Sequence, residues 1–161
     1  MPASVRLAAI LILVVITTIP AAANGGSWIH LELAEDRSDY GNGYRPATVI
    51  RSGHIVTLSG MIANDKSGTV ATLPADLRPA QRLIFGVNTQ GDAARIDVLP
   101  SGEIELETNG AGRGWFSLDG ISFAVSGAPQ PLKSDWLNYE QGYAEASAVL
   151  DGGRVYLGGV L

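Results

Sequence analysis

The residue types able to do chemistry are few. The densest group is a row of carboxylates in which Glu103, Glu105 and Glu107 alternate along one segment, with Asp97 just upstream. Two carboxyl groups about 5 to 9.5 Å apart are what a glycoside hydrolase needs, one as acid and one as nucleophile or base. Alternate residues on a strand meet that distance by geometry alone. With Arg95 available as a cross-strand cation, the row reads first as a charged strand face; the alternative is an acidic glycan hydrolase using Asp97 and Glu105. His30 and His54 are the only histidines, and cysteine is absent. Those counts exclude a three-histidine metal centre, a thiolate zinc site, a disulfide framework and a cysteine nucleophile, and they leave a Ser-His-Asp triad two bases at most. His54 sits beside a turn, where a proton-transfer role has nothing else to support it.

Two loops imitate binding motifs. Glu35 to Gly41 has the outline of a calcium loop, yet Tyr40 stands at a ligand position and no glutamate closes the series, so it reads as a solvated loop. Gly110-Ala111-Gly112-Arg113-Gly114 is rich in glycine, but a phosphate loop needs a helix after it and Trp115 to Leu118 reads as strand. No metal or other cofactor is expected. Aromatic residues near loops are the remaining candidates: Tyr40, Tyr44, Trp115 and Trp136 offer faces suited to a glycan, with Tyr139 and Tyr143 alongside. Packing in the core or at an interface is the competing role of the same rings.

The elements that position these residues follow from composition and period. The chain has 161 residues, 46% hydrophobic and 17% charged, enough apolar material for one packed domain. Its 20 glycines have no collagen-like period and must serve turns. A net charge of -5 has the wrong sign for tracking phosphates, so no nucleic-acid partner is expected. Arg6, the apolar run Leu7 to Ile19, Pro20 and Ala21-Ala22-Ala23 form an export signal at residues 1–23 with cleavage after Ala23. The run is too short to span a bilayer, so the membrane is a partner only through this segment before cleavage. The mature protein is then secreted and extracellular.

Beyond Ala23 the alternation has period two, as in Ile29, Leu31 and Leu33 or Ile104 and Leu106. Ala47–Arg51 with Ile55–Ile62, Ala94–Leu99 with Glu103–Thr108, and Trp115–Leu118 with Ile121–Val125 read as three hairpins, joined by Ser52-Gly53, Pro100-Ser101-Gly102 and Asp119-Gly120. Gly68–Leu73 and Arg82–Asn88 are short strands around the proline-rich stretch 74–79. The pattern predicts an all-β fold, an antiparallel β-sandwich or jelly roll of about seven to nine short strands. Ile50, Val56, Leu58, Ile84, Ile96, Val98, Ile104, Leu106, Phe116 and Phe123 are its expected core.

A shift of 99 positions places Tyr40, Gly43, Tyr44, Ala47, Gly53, Val56, Leu58 and Gly60 on Tyr139, Gly142, Tyr143, Ala146, Gly152, Val155, Leu157 and Gly159. That is an internal repeat. It predicts strand rather than helix for the alanine-rich Tyr143–Leu150. The module is therefore expected at 24–125, a linker at 126–131, and a truncated second copy of its first strands at 132–161. Such a copy must pack on the first, swap between chains or belong to a longer protein. Val155, Leu157 and Val160 in it predict a sheet edge that seeks a partner.

Leu73-Pro74-Ala75-Asp76-Leu77-Arg78-Pro79-Ala80-Gln81-Arg82-Leu83-Ile84-Phe85, Ala94 to Gly102, and Trp115 to Phe123 together resemble a β-sandwich module of phage tail-fibre and related tail proteins, found also after collagen-like repeats. The opening at Gly43 to Gly60, repeated at Gly142 to Gly159, matches too. The chain departs from that group in carrying Arg37 where its second copy has the family-like Trp136, and in its export signal, which favours a secreted cellular relative over a viral role. The resemblance implies a non-enzymatic attachment or structural module, a homo-oligomer with three chains favoured, and a surface glycan or protein as partner.

Overall fold

The computed structural model describes residues 26–64, 66–107 and 114–161. The export signal at 1–23 and most of the Gly110–Gly114 stretch lie outside the described residues. Within them every strand pair is antiparallel.

Strands β1 (Ile29–His30), β2 (Thr48–Ser52), β3 (Ile55–Ser59) and β10 (Ser122–Ala124) form one sheet in the order β1-β2-β3-β10. β5 (Gly68–Thr72), β6 (Leu83–Asn88), β7 (Ala93–Val98) and β8 (Glu103–Leu106) form another, β5-β8-β7-β6. β4 (Met61–Asn64) pairs with β9 (Gly114–Ser117), and β11 (Ala128–Pro129), β12 (Ser147–Asp151) and β13 (Arg154–Gly158) make a C-terminal sheet. Both four-stranded sheets and the β4–β9 pair feed one apolar cluster, with Val49, Val56, Leu58, Ile62, Val70, Ile96, Val98, Ile104, Leu106 and Phe116 at its centre.

The all-β class expected from period two is what the chain adopts, with three corrections. First, there are thirteen strands among the described residues, ten of them before residue 125, against the seven to nine expected. The extra ones arise because apolar runs that look continuous are cut where the chain changes sheet. Ile55–Ile62 is cut at Gly60, whose φ of 119° only glycine tolerates well and whose absent Cβ would lie 2.8 Å from Ala47 Cα. Second, Trp115–Leu118 and Ile121–Val125 are not a hairpin with each other. β9 pairs with β4 and β10 with β3, so two strands turn the Gly60 corner side by side, with Leu58 N–H donating to Ile121 O and Leu118 N–H donating to Gly60 O. Third, Ile50 and Ile84 are half-buried and outside the core, while the other eight expected core residues are buried. Ile50 lies opposite Thr57 and Ile84 opposite Asp97, so strand parity puts both on the side away from Val56, Leu58 and Ile96.

Asp119 locks the corner. Its Oδ1 accepts from Ser59 Oγ at 2.6 Å and from Gly60 N–H at 3.1 Å. The Ser59 hydroxyl, then the Gly60 amide and Ser117, hold its carboxyl below the ordinary value of 3.8 despite partial desolvation. A lowered folded pKa contributes stability that is present above the free value and lost as pH falls through the folded one. Asp119→Asn is therefore expected to lower stability by about 1 kcal/mol near neutrality, the low end for a charged hydrogen bond because water reaches the group. The difference from wild type should shrink below about pH 4, measured as urea midpoints between neutral and acid pH. A constant difference would place the contribution elsewhere.

The repeat holds in the backbone and reaches further than identity does. Ile29↔Val49 and His30↔Thr48 correspond to Ala128↔Ala148 and Pro129↔Ser147, and the β2–β3 register is reproduced pair for pair in β12–β13. The stretch expected as a linker thus contains β11, the counterpart of β1. Gly41, Asn42 and Gly43, with φ of 71°, 51° and 84°, recur as Glu140, Gln141 and Gly142 at 62°, 51° and 80°. Tyr143–Leu150 holds the first four residues of β12 and no helix, in line with its counterpart.

The C-terminal copy packs on the first copy in the same chain. Ala144 N–H donates to Arg82 O at 2.9 Å, and His54 N–H donates to an Asp151 carboxylate oxygen at 2.8 Å. Between them lies a cavity of about 220 Å³ bounded by Leu83, Phe85, Phe123, Val149, Tyr156 and Val160.

Candidate functional site

Three of the four aromatic candidates come together at the left-handed turn 41–43. The turn is pinned on both sides: Tyr40 N–H donates to Met61 O at 2.9 Å, and Met61 N–H donates to Arg45 O at 3.0 Å. Asp39 supports it from below, its Oδ1 accepting from Ala47 N–H at 2.7 Å and its Oδ2 from His30 Nε2 at 3.0 Å. On this base the Tyr40 ring meets Tyr44 at 5.7 Å and Trp115 at 6.5 Å, both tilted by 59°. Trp115 arrives from β9, opposite Ala63 of β4, so the ledge depends on the same paired strands that turn the Gly60 corner. Tyr44 is 55% exposed, while Tyr40 and Trp115 are half-buried. Arg45 extends its guanidinium over Trp28, 5.1 Å from the ring centroid. Trp28 and Arg45 carry no motif that sequence reasoning could have used. An exposed tyrosine braced by Tyr40, which itself meets Trp115, offers a sugar or peptide a flat apolar face at low entropy cost. Trp136, the fourth candidate, lies exposed in the C-terminal copy, at the position equivalent to Arg37.

The carboxylate row behaves differently from its expected role. Asp97, expected on an outer charged face, is fully buried. Its Oδ1 accepts from Arg95 Nε at 2.6 Å, its Oδ2 from Arg95 Nη2 at 2.7 Å, and Arg82 pairs with Oδ2 as well. Arg95 is thus a neighbour of Asp97 on the same strand, two residues away and hence on the same face, and it also lies across from Glu107, whose N–H donates to Arg95 O at 3.0 Å. Arg95 Nη2 also donates to Tyr143 Oη at 2.8 Å, and both guanidiniums lie over the Tyr143 ring, at 5.0 Å for Arg82 and 5.7 Å for Arg95. Asp97 first and Tyr143 second raise the Arg95 pKa above its ordinary value. Asp97 stands directly opposite Glu105, the pairing that two-carboxylate chemistry would use. Asp97 has no surface open to a substrate, and both its oxygens accept from guanidinium groups. Glu107 joins the edge of the network through Arg82 at 3.2 Å. This cluster was missed in the sequence because Tyr143, its cover, comes from the other copy.

The remaining candidates make ordinary contacts. Arg37 donates to Lys66 O, Ser67 O and Thr69 O, and Lys66 pairs with Asp36, whose carboxyl it holds below the ordinary value. Within the Glu35–Gly41 loop, Asp36 is thus paired with a cation and Arg37 is engaged by backbone carbonyls. No group of three or more His, Cys, Asp or Glu able to hold a metal occurs among the described residues. His54 is exposed and reaches Asp151 through its backbone N–H, not its ring. No described helix is long and apolar enough to cross a membrane.

No protein-family model and no curated protein matches the chain. Among solved structures it is similar to the crystal structure of the receptor binding protein of Listeria phage PSA, with a TM-score of 0.53 and 22% sequence identity. The match covers 63% of this chain and 66% of that one, slightly under two thirds of the phage protein's length. At that identity the likeness is one of fold, and in fold it agrees with the resemblance to phage tail modules carried by Leu73–Phe85, Ala94–Gly102 and Trp115–Phe123.

Proposed function

We propose that the protein is a non-catalytic attachment module, exported from the cell, that binds a surface glycan through the Tyr40–Tyr44–Trp115 ledge. The ledge is the observation that carries this reading: an exposed ring held by a hydrogen-bonded turn and backed by Tyr40, which itself meets Trp115. The likeness in fold to a protein named for receptor binding supports an attachment role. The burial of Asp97, with both its oxygens engaged by arginines, weighs against the hydrolase alternative that would pair it with Glu105.

A protein partner is the second reading, and one observation favours it. Tyr143, the repeat equivalent of Tyr44, takes two guanidinium groups of this same chain, so an arginine-bearing protein would suit Tyr44 equally well.

Residues 24–161 on a glycan array are expected to bind without turnover. Tyr44→Ala and Trp115→Ala should each weaken binding at least tenfold, since one stacked ring contributes about 1 kcal/mol or more beyond its buried area. Binding that survives both substitutions would exclude the ledge, and product release would exclude a non-catalytic role.

A further inference from the structure

The outer edge of β13 is open. Arg154, Val155, Leu157 and Gly158 are exposed, while Tyr156 is half-buried and lines the cavity with Val149 against β6 and β10. The repeat shows which groups this edge presents. In the first copy β3 lies between β2 and β10, and the backbone groups of Val56 and Leu58 face β10: Val56 stands opposite Phe123, and Leu58 N–H donates to Ile121 O at 3.0 Å. Val155 and Leu157 hold the same register against β12, so their N–H and C=O groups point away from it, and β13 is the last strand of its sheet. Their side chains share that exposure. Val155 is 65% exposed and Leu157 81%, against 0% for Val56 and Leu58.

We propose that this edge accepts an extended strand of the β10 pattern, added antiparallel to β13 in the place that β10 holds beside β3. The pairing dictates the chemistry of that strand, with backbone groups supplying affinity and alternate side chains supplying selection. Residues opposite Val155 and Leu157 lay their side chains over the bare apolar face. They must be large and apolar, as Phe123 and Ile121 are in β10, where both are buried. The residues between them, equivalent to Ser122 and Ala124, point to the side on which β13 meets β6 and β10 across the cavity. Those must be small. Proline is excluded at the apolar positions, because their N–H groups face β13. A whole folded copy of this chain does not supply such a strand, since its own β10 is already held by β3. The edge therefore selects a segment with alternating large apolar and small residues that is not built into another sheet.

A labelled peptide with the sequence of residues 119–126 is the probe, added to residues 24–161, which include every described residue. Saturable binding below about 1 mM is expected by fluorescence polarisation. The register fixes where amide hydrogen exchange slows: at Val155 and Leu157 by about tenfold or more on saturation, and not at Tyr156, whose N–H already faces β12. Exchanging Ile121 with Ser122 and Phe123 with Ala124 in the peptide keeps its composition but reverses its parity, and should weaken binding about tenfold or more. Phe123→Pro in the peptide should do the same by removing a donor. In the protein, Leu157→Lys should weaken binding while leaving the circular dichroism spectrum unchanged, because that side chain stands in water in the free protein; Val155→Ser is the milder variant should the lysine disturb the hairpin. No binding up to about 1 mM, equal binding by the parity-reversed peptide, or protection confined to strands other than β13 would overturn the proposal. Self-association of the chain that blocks the peptide would also overturn it, giving the face to a second copy. Glycan binding by the ledge is read separately and does not depend on this result.

Discussion

Asp97→Ala is expected to lower the stability of the protein by about 3 kcal/mol, towards the low end of the range for breaking a buried ion pair. The carboxylate is wholly inaccessible, while Arg82 and Arg95 keep about a third of their side-chain surface in water. Removing Asp97 leaves two guanidiniums facing each other across the space it occupied, with water able to relieve part of their repulsion. The loss should be greatest where the copies meet, because the same guanidiniums hold Tyr143 by a hydrogen bond and by its ring face. Urea denaturation followed by far-ultraviolet and tyrosine signals measures both. A loss below about 1 kcal/mol, the range of exposed pairs, would mean that the network contributes little.

Gly60→Ala is expected to cost about 3 to 5 kcal/mol, combining a left-handed φ that a side chain resists with overlap against fixed backbone. The added Cβ would press on Pro46 O and C and on Ala47 Cα, and none of these can rotate away. Gly159 repeats the conformation at φ 122°, with Ala146 Cα 2.6 Å from its absent Cβ. Gly159→Ala should strain the chain equally at that point yet reduce global stability less, because the hairpin it closes has one apolar face in water. Thermal unfolding of the two variants side by side checks the contrast. Equal losses would show that the C-terminal copy is as well anchored as the first.

These two positions also mark how far the sequence is legible. Period-two alternation suffices for β7 and β8, where Ile96, Val98, Ile104 and Leu106 all turn inward, and the 99-residue shift predicts strand for Tyr143–Leu150, of which residues 147–150 are strand. Gly60 is harder to read, because Val56, Leu58 and Ile62 keep alternating straight through the corner and nothing in their spacing records a change of sheet. The burial of Asp97 is equally hidden: parity places it beside Arg95 and Ile84 on an outer side, and the residue that covers it lies 48 positions beyond Arg95. β11 is invisible to comparison of residue types, since Ala128-Pro129-Gln130 shares no residue with Ile29-His30-Leu31 and only the backbone hydrogen bonds reveal the match. At the ledge, the rings could be listed from the sequence, but their meeting depends on β9 crossing to β4.

The corner at Gly60 also sets the pace at which the chain can reach its fold. Ser122 joins Thr57 across 65 residues and Asp119 joins Ser59 across 60, so the paired strands cannot zip from a tight turn and must wait for a long loop to close. Such distant pairings put folding of the first module in the millisecond-to-second range. The β12–β13 hairpin closes through a two-residue turn and can form in about 1 to 10 µs. Alone it is marginal in water and forms and reopens many times before the module it rests on is complete, and during that interval encounters between chains compete with docking inside one.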